Sequence, residues 1–138
     1  MKPHFLLQPS NSIGLLRMLM GIVFILHGGA RLYEHSVTGF GGFIGDHGIP
    51  GGLYLAWFIT VFEIIGGTAM FLRYAVKVFC VIEILIQIGG ILMVHSPNGW
   101  FTVGAQVGGM EYSVVLVGVL LAIFLAERKN DLNIKPLL

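Results

Sequence analysis

Four apolar runs, at about residues 13–33, 53–72, 75–94 and 110–126, take up most of this 138-residue chain. Each is close to the roughly 20 residues that a helix needs to cross a bilayer at about 1.5 Å per residue. Of the residues, 56% are hydrophobic and 11% charged, whereas a soluble domain carries about 25% charged residues. A soluble fold of this size has too little interior for so much apolar surface, so lipid must cover it. The expected fold is all-α: a four-helix transmembrane bundle with two glycine-rich outward-facing loops, forming a single integral membrane domain over residues 1–138. The first run does not read as a cleavable signal peptide, because Arg17, His27 and Arg31 interrupt it and it exceeds a short apolar core.

Lysine and arginine near the run ends give an orientation. Lys2 precedes the first run, Arg73 and Lys77 flank the tight turn between the second and third, and Arg128, Lys129 and Lys135 follow the fourth. The segments 34–52 and 95–109 contain neither residue type. Both termini of this multi-pass chain are therefore expected in the cytoplasm. The outward loops, TGFGGFIGDHGIPGG and HSPNGWFTVGAQVGG, interleave glycine with Phe40, Phe43, Ile44, Ile49, Trp100 and Phe101. Such side chains bury poorly in water, so the loops are expected to fold back over the bundle or into the interface as a lid. A net charge of +1 with no basic, aromatic-interleaved patch sets nucleic acid aside. The lone Cys80 excludes an internal disulfide and a CxxC redox pair.

Ionisable residues inside a span are costly and are functional-site candidates. Here they are Arg17, His27, Arg31, Glu63, Glu83 and Glu111, with Gln87 beside them. Helix rise places Arg17 about 6 Å, Glu83 about 12 Å, Glu63 about 14 Å, Gln87 about 18 Å and His27 about 21 Å from the cytoplasmic side. Arg31 and Glu111 fall near the outer boundary, which predicts that they pair. Arg17 is expected to reach Glu83 or Glu63, and His27 to sit nearer Glu63 and Gln87. At 100° per residue, Arg17, Gly21, Phe24, His27, Gly28 and Arg31 share one side of the first run. Cys80, Glu83, Gln87 and Gly90 share a side of the third, and Glu111, Val115, Gly118 and Ala122 run together in the fourth. Small residues on these stripes let helices approach closely, so the stripes should face one another. Arg17 and Glu83 read equally as an architectural pair that fixes register, with Arg17 snorkelling. Glu63, at mid-depth beside Gly66 and Gly67, reads as a site suited to proton exchange.

His35, His47 and His95 belong to the outward loops and His27 lies toward them, but no tight ligand spacing such as HxxxH occurs, so no metal site is expected. His95 is expected instead as a hydrogen-bonding member of an outer cavity with Glu111.

Arg17-x3-Gly21-x5-His27-Gly28, Glu63-x2-Gly66-Gly67, His95-x-Pro97-Asn98-Gly99-Trp100 and Gly108-Gly109-x-Glu111-Tyr112 keep an order and spacing that resembles the DoxX family over nearly the whole chain. The resemblance implies a four-helix protein of the prokaryotic cytoplasmic membrane. It also implies a link to oxidoreductases, some members being membrane subunits of thiosulfate:quinone oxidoreductase. Carried over by position, Arg17, His27, Glu63, His95, Asn98 and Glu111 would be the family's polar set. With no soluble domain beside the spans, a subunit working with a soluble or membrane redox partner is expected, homo-oligomerisation being open.

The leading functional expectation is a redox-linked membrane subunit that binds a quinone-like molecule, the one cofactor the pattern suggests. Arg17, His27, Glu63, Gln87, His95, Asn98, Trp100 and Glu111 are its candidate binding residues. Phe24, Trp57 and Trp100 would contact the ring, His95 or His27 would bond a ring oxygen, and Glu63 or Glu111 would pass protons, Glu63, His95 and Glu111 being the catalytic candidates. The alternatives are a non-catalytic membrane scaffold for a soluble redox enzyme and a small-solute carrier.

Overall fold

The computed structural model describes residues 9–104 and 107–127, all helix, turn and loop. Lys2, Arg128, Lys129 and Lys135, on which part of the expected orientation rests, lie outside the described residues. The order is α1 (Pro9–Tyr33), α2 (Val37–Asp46), α3 (Gly52–Phe71), α4 (Val76–Gly90) and α5 (Glu111–Ala126). One π-helical turn (Ile91–His95) and one 3-10 turn (Ser96–Asn98) prolong α4.

Three of the expected spans correspond to stretches long and apolar enough to cross a membrane: Asn11–Tyr33, Gly52–Phe71 and Val76–Asn98. The fourth is shorter, since α5 has only 16 residues. At about 1.5 Å per residue it extends roughly 24 Å, less than a typical hydrocarbon core of about 30 Å. The bundle also gains α2, a helix inside the segment read as a loop. Leu19, Leu26, Ile65, Leu85, Leu92 and Leu125 are all exposed, which leaves outward faces that suit lipid rather than water.

Helices α1 and α3 run antiparallel and almost touch. A Cβ added at Gly21 would meet the Gly67 carbonyl oxygen at 2.5 Å, and one at Gly67 would meet that of Gly21 at the same distance. Further along, a Cβ at Gly28 would lie 2.6 Å from the Thr60 carbonyl oxygen. Only glycine allows backbones so near, and the gain is dispersion contact along the whole seam. The small-residue expectation thus holds for α1 and α3. It fails for Gly90 and Gly118, whose added Cβ atoms would meet nothing within 4 Å.

Between α3 and α4 the chain reverses through Leu72–Ala75, with Arg73 at φ +62° and Ala75 at φ +46°. A cluster of Met20, Phe24, Met70, Val76, Cys80, Leu116, Leu120 and Ile123 fills the bundle at this end. Phe24 is wholly buried there. Arg17 also serves this end, donating to the carbonyl oxygens of Met70 and, at 2.8 Å, Phe71. Those are carbonyls of the last turn of α3, which have no partner within the helix. The expected reach of Arg17 to Glu83 or Glu63 is therefore corrected: the carbonyls that end α3 take the guanidinium, Met70 O while also accepting from Arg73 N–H at 3.1 Å.

At the opposite end α2 lies across the bundle. Val37, Phe40, Gly41 and Ile44 recur at i, i+3, i+4 and i+7, so one face is apolar and packs on Ala56 and Ile59 of α3. Gly41 permits this crossing, since a Cβ there would stand 2.7 Å from Leu53 Cα. The first glycine-rich loop thus does fold back over the bundle, as a helix. In the second, the described residues 99–104 and 107–110 close instead on one another. Gly109 N–H donates to Phe101 O at 3.0 Å and Glu111 N–H to Trp100 O at 2.9 Å. Trp100, Phe101, Val103 and Val107 remain exposed.

Candidate functional site

Beneath α2 lies a cavity of about 530 Å³ to which every helix contributes. Its α2 wall is Phe40, Phe43 and Ile44, and its α3 wall Leu55, Phe58, Ile59 and Glu63. Helix α4 presents Ile82, Leu85, Ile86, Gln87, Gly89 and Gly90, continued by Met93, Val94 and His95. His27 and Arg31 come from α1, and Tyr112, Ser113 and Leu116 from α5. Apolar walls with a few convergent polar groups, at a volume in the range of about 300–1,000 Å³, describe a small-molecule site.

The electrostatic centre is an ion pair between Arg31 Nη2 and Glu63 Oε2. Arg31 Nε also donates to Thr60 Oγ1 at 3.1 Å, and its guanidinium lies 5.2 Å from the Phe40 ring centroid. Thr60 Oγ1 in turn donates to Ala56 O at 2.7 Å, so its proton is spent and its lone pair faces the arginine. The expected Arg31–Glu111 pair is corrected. Side chains on a helix lean toward its N-terminus, and arginine is long, so Arg31 reaches back to the level of Glu63. A buried Glu63 left without a cation would cost several kcal/mol, which makes this partner the favoured one. Glu111 accepts from the Thr102 N–H at 2.9 Å through Oε1 and so holds the second loop.

The histidines are fixed through one nitrogen each. His27 Nδ1 is 2.9 Å from Val23 O and His95 Nδ1 is 2.9 Å from Gly108 O. A carbonyl oxygen can only accept, so each Nδ1 carries the proton and, in the neutral ring, Nε2 is left as an acceptor. His95 thus bonds Gly108 rather than Glu111. Among the described residues no group of three or more His, Cys, Asp or Glu side chains could hold a metal ion.

The sequence-derived candidates therefore divide. His27, Glu63, Gln87 and His95 come together on the cavity. Arg17 serves the far end, Asn98 Nδ2 donates to Val94 O at 3.1 Å, Glu111 braces a loop, and Trp100 is half exposed; none of the four lines the cavity. Of the expected ring contacts, Phe24 is in the other core and Trp57 is exposed, and the walls use Phe40, Phe43 and Phe58 instead. Thr60 and Phe40 are site residues that the sequence pattern does not single out, and Arg31, an in-span candidate expected at the outer boundary, belongs to the cavity. The i, i+3, i+4, i+7 spacing that builds α2 was the available signal for Phe40.

Glu83 stands apart. It is fully buried beside the cavity wall residues Ile82 and Leu85, and neither side-chain oxygen has a hydrogen-bond partner among the described residues.

A helical membrane protein organised around a buried ion pair and an apolar cavity is the class this fold and site define. The DoxX family model matches residues 12–96, more than half of the chain, and the chain belongs to the DoxX family. That match takes in Arg17, His27, Glu63, Gln87 and His95 and stops before Asn98, Trp100 and Glu111, so it covers less of the chain than the resemblance in motifs suggested. The chain is also 34% identical over 80 residues to the Bacillus subtilis (strain 168) protein named "Putative oxidoreductase CatD". The alignment takes in 58% of this chain and spans 57% of that protein, a little over half its length. No solved structure matches.

Proposed function

We propose that this protein is the membrane subunit of a quinone-linked oxidoreductase, and that the cavity under α2 holds the ring of a quinone-like molecule. The observation that carries the reading is the lining: aromatic and aliphatic walls, with Arg31, Glu63, Gln87, His27 and His95 as the polar groups. The residues fit such a ring. Phe40, Phe43 and Phe58 would cover its faces, and Arg31 and Gln87 would donate to a ring carbonyl. A bound quinone supplies paired electron and proton carriage, which the side chains here do not provide themselves.

The tautomers add direction. With Nδ1 committed to a backbone carbonyl, His27 and His95 in their neutral form offer Nε2 as an acceptor, which suits a hydroxyl better than a carbonyl oxygen. The site should therefore hold the reduced, hydroxyl-bearing ring at least as well as the oxidised one. The name of the Bacillus subtilis relative agrees with a redox role. A partner protein carrying the electron donor completes the reading, and the location is the inner membrane of a prokaryote. Arg73 and Lys77 at the α3–α4 turn support a cytoplasmic position for that end, and with it both termini.

The test is equilibrium binding of ubiquinone and ubiquinol analogues to the purified protein in lipid nanodiscs. His95→Ala and Glu63→Gln should each weaken binding about tenfold, equivalent to about 1.4 kcal/mol. Unchanged affinity in both variants overturns the assignment.

A further inference from the structure

The cavity is not closed on its membrane-facing side. Phe58 of α3 and Leu85 of α4 both line it, yet they are 52% and 63% exposed. Side chains that face a cavity and the exterior together mark its rim. Counted from the α3–α4 turn, Phe58 stands about 20 Å and Leu85 about 14 Å along their helices, which is mid-hydrocarbon depth for a bilayer core of about 30 Å. The opening therefore faces acyl chains rather than water.

The same gap explains two glycines that packing does not. Nearer the turn, α3 and α4 meet closely: a Cβ at Gly66 would stand 2.6 Å from the Phe79 ring. Higher on α4, Gly89 and Gly90 line the cavity, and a Cβ at either would meet nothing within 4 Å. Glycine in a helix interior costs about 1 kcal/mol relative to alanine, so a pair of them needs a compensating use. No neighbouring helix supplies it, and the space they leave is cavity.

We infer that the ligand of this cavity is a membrane-dissolved amphiphile that enters sideways between α3 and α4, its apolar tail running out past Phe58 and Leu85 through the room kept by Gly89 and Gly90. The inference rests on the proposed binding role of the cavity, but it concerns the tail and the route, not the identity of the ring. A water-soluble solute would gain nothing from an opening at this depth. A tailed molecule keeps its apolar part in lipid throughout and presents only its head to Arg31 and Glu63.

The experiment compares a decyl-tailed quinone with the same ring lacking a tail, in nanodiscs, against the wild type, Gly90→Leu, Gly89→Leu and the control Gly118→Leu. Gly118 is equally open but lies off the cavity, on α5. Open space at the new Cβ and better helix propensity mean that all three variants should fold. Mass spectrometry of organic extracts from each purified protein runs in parallel. The expected result in Gly90→Leu or Gly89→Leu is a loss of affinity for the tailed quinone about tenfold greater than any loss for the tail-less ring, with Gly118→Leu like wild type. Equal loss for both ligands, or no loss for either, overturns the lateral route. If wild type binds neither quinone but retains another tailed lipid that Gly90→Leu loses, the route stands and the quinone reading fails. If wild type binds neither and retains nothing, both fail.

Discussion

If Arg31 and Glu63 stabilise each other across the α1–α3 seam, removing one should do more harm than removing both. Glu63 is 3% exposed, and its partner guanidinium is held by Thr60 and covered by Phe40. Arg31→Met leaves a buried carboxylate without a cation, and Glu63→Leu leaves a guanidinium with only a hydroxyl oxygen and a ring. Breaking a buried pair from one side costs about 3–5 kcal/mol. Replacing both members with apolar groups of similar size removes the desolvation penalty along with the attraction, and such exchanges are often close to neutral. Here the double variant also loses the contact with Phe40, worth about 0.5–1 kcal/mol, and the bond to Thr60, whose own proton stays satisfied on Ala56. The double variant should therefore lie about 1–2 kcal/mol below wild type, well above either single variant, with a coupling energy of at least about 3 kcal/mol. Equilibrium unfolding in mixed detergent micelles, run as a double-mutant cycle, measures this directly. Additive effects, with the double variant as unstable as the two losses combined, would refute the reasoning, because the two side chains would then not depend on each other.

Other expectations follow from particular contacts. Gly67→Ala puts a methyl group 2.5 Å from the Gly21 carbonyl oxygen and should destabilise by about 1–3 kcal/mol in the same unfolding assay. Ala75→Gly relieves a left-handed residue at φ +46° and should stabilise the α3–α4 turn by about 1 kcal/mol, seen as a higher midpoint of unfolding. Glu83→Met removes a carboxyl whose oxygens are buried without a hydrogen-bond partner among the described residues, so stability should rise by about 1–3 kcal/mol; a fall would mean that Glu83 has a partner in the membrane. Glu111→Ala removes the acceptor for Thr102 N–H and should speed amide exchange in the 99–110 loop while leaving that of α3 unchanged.

Much of the fold is legible in the sequence because hydrocarbon imposes one simple rule, about 20 apolar residues per crossing. That rule finds α1, α3 and α4 within a few residues of their ends. It also finds α5, whose 16 residues make it the shortest of the four apolar helical stretches it picks out. Helix α2 is obscured by composition, since VTGFGGFIGD carries four glycines in ten residues and reads as a turn-former. What makes it helical is tertiary: Gly41 lets its apolar face settle on Leu53, Ala56 and Ile59, and that contact overrides poor intrinsic propensity.

The site was half legible for a related reason. Depth counted along the backbone brings His27, Glu63 and Gln87 to one region, and they share the cavity; His95, expected in an outer cavity with Glu111, joins them there without Glu111. The same count sent Arg31 to the outer boundary, because it follows Cα atoms and ignores about a full turn of side-chain reach. Gly89 and Gly90 mislead in the opposite sense. A small-residue stripe usually signals close packing, as at Gly21 and Gly67, and only coordinates distinguish glycines that admit a neighbour from glycines that keep a space open.

The π-helical turn at Ile91–His95 has a consequence for how the chain tolerates change in length. A π turn is an α-helix holding one residue more than its geometry needs, so everything beyond it is rotated by about 100° relative to an uninterrupted helix. That rotation sets the direction in which His95 leaves α4. Deleting a single residue between Ile91 and Val94 would let the helix heal into regular α geometry with little lost in hydrogen bonds, yet it would swing the imidazole off the cavity wall and away from Gly108. The stretch is thus a phase adjustment written into the backbone, and its indispensable component is a count of residues rather than any one side chain.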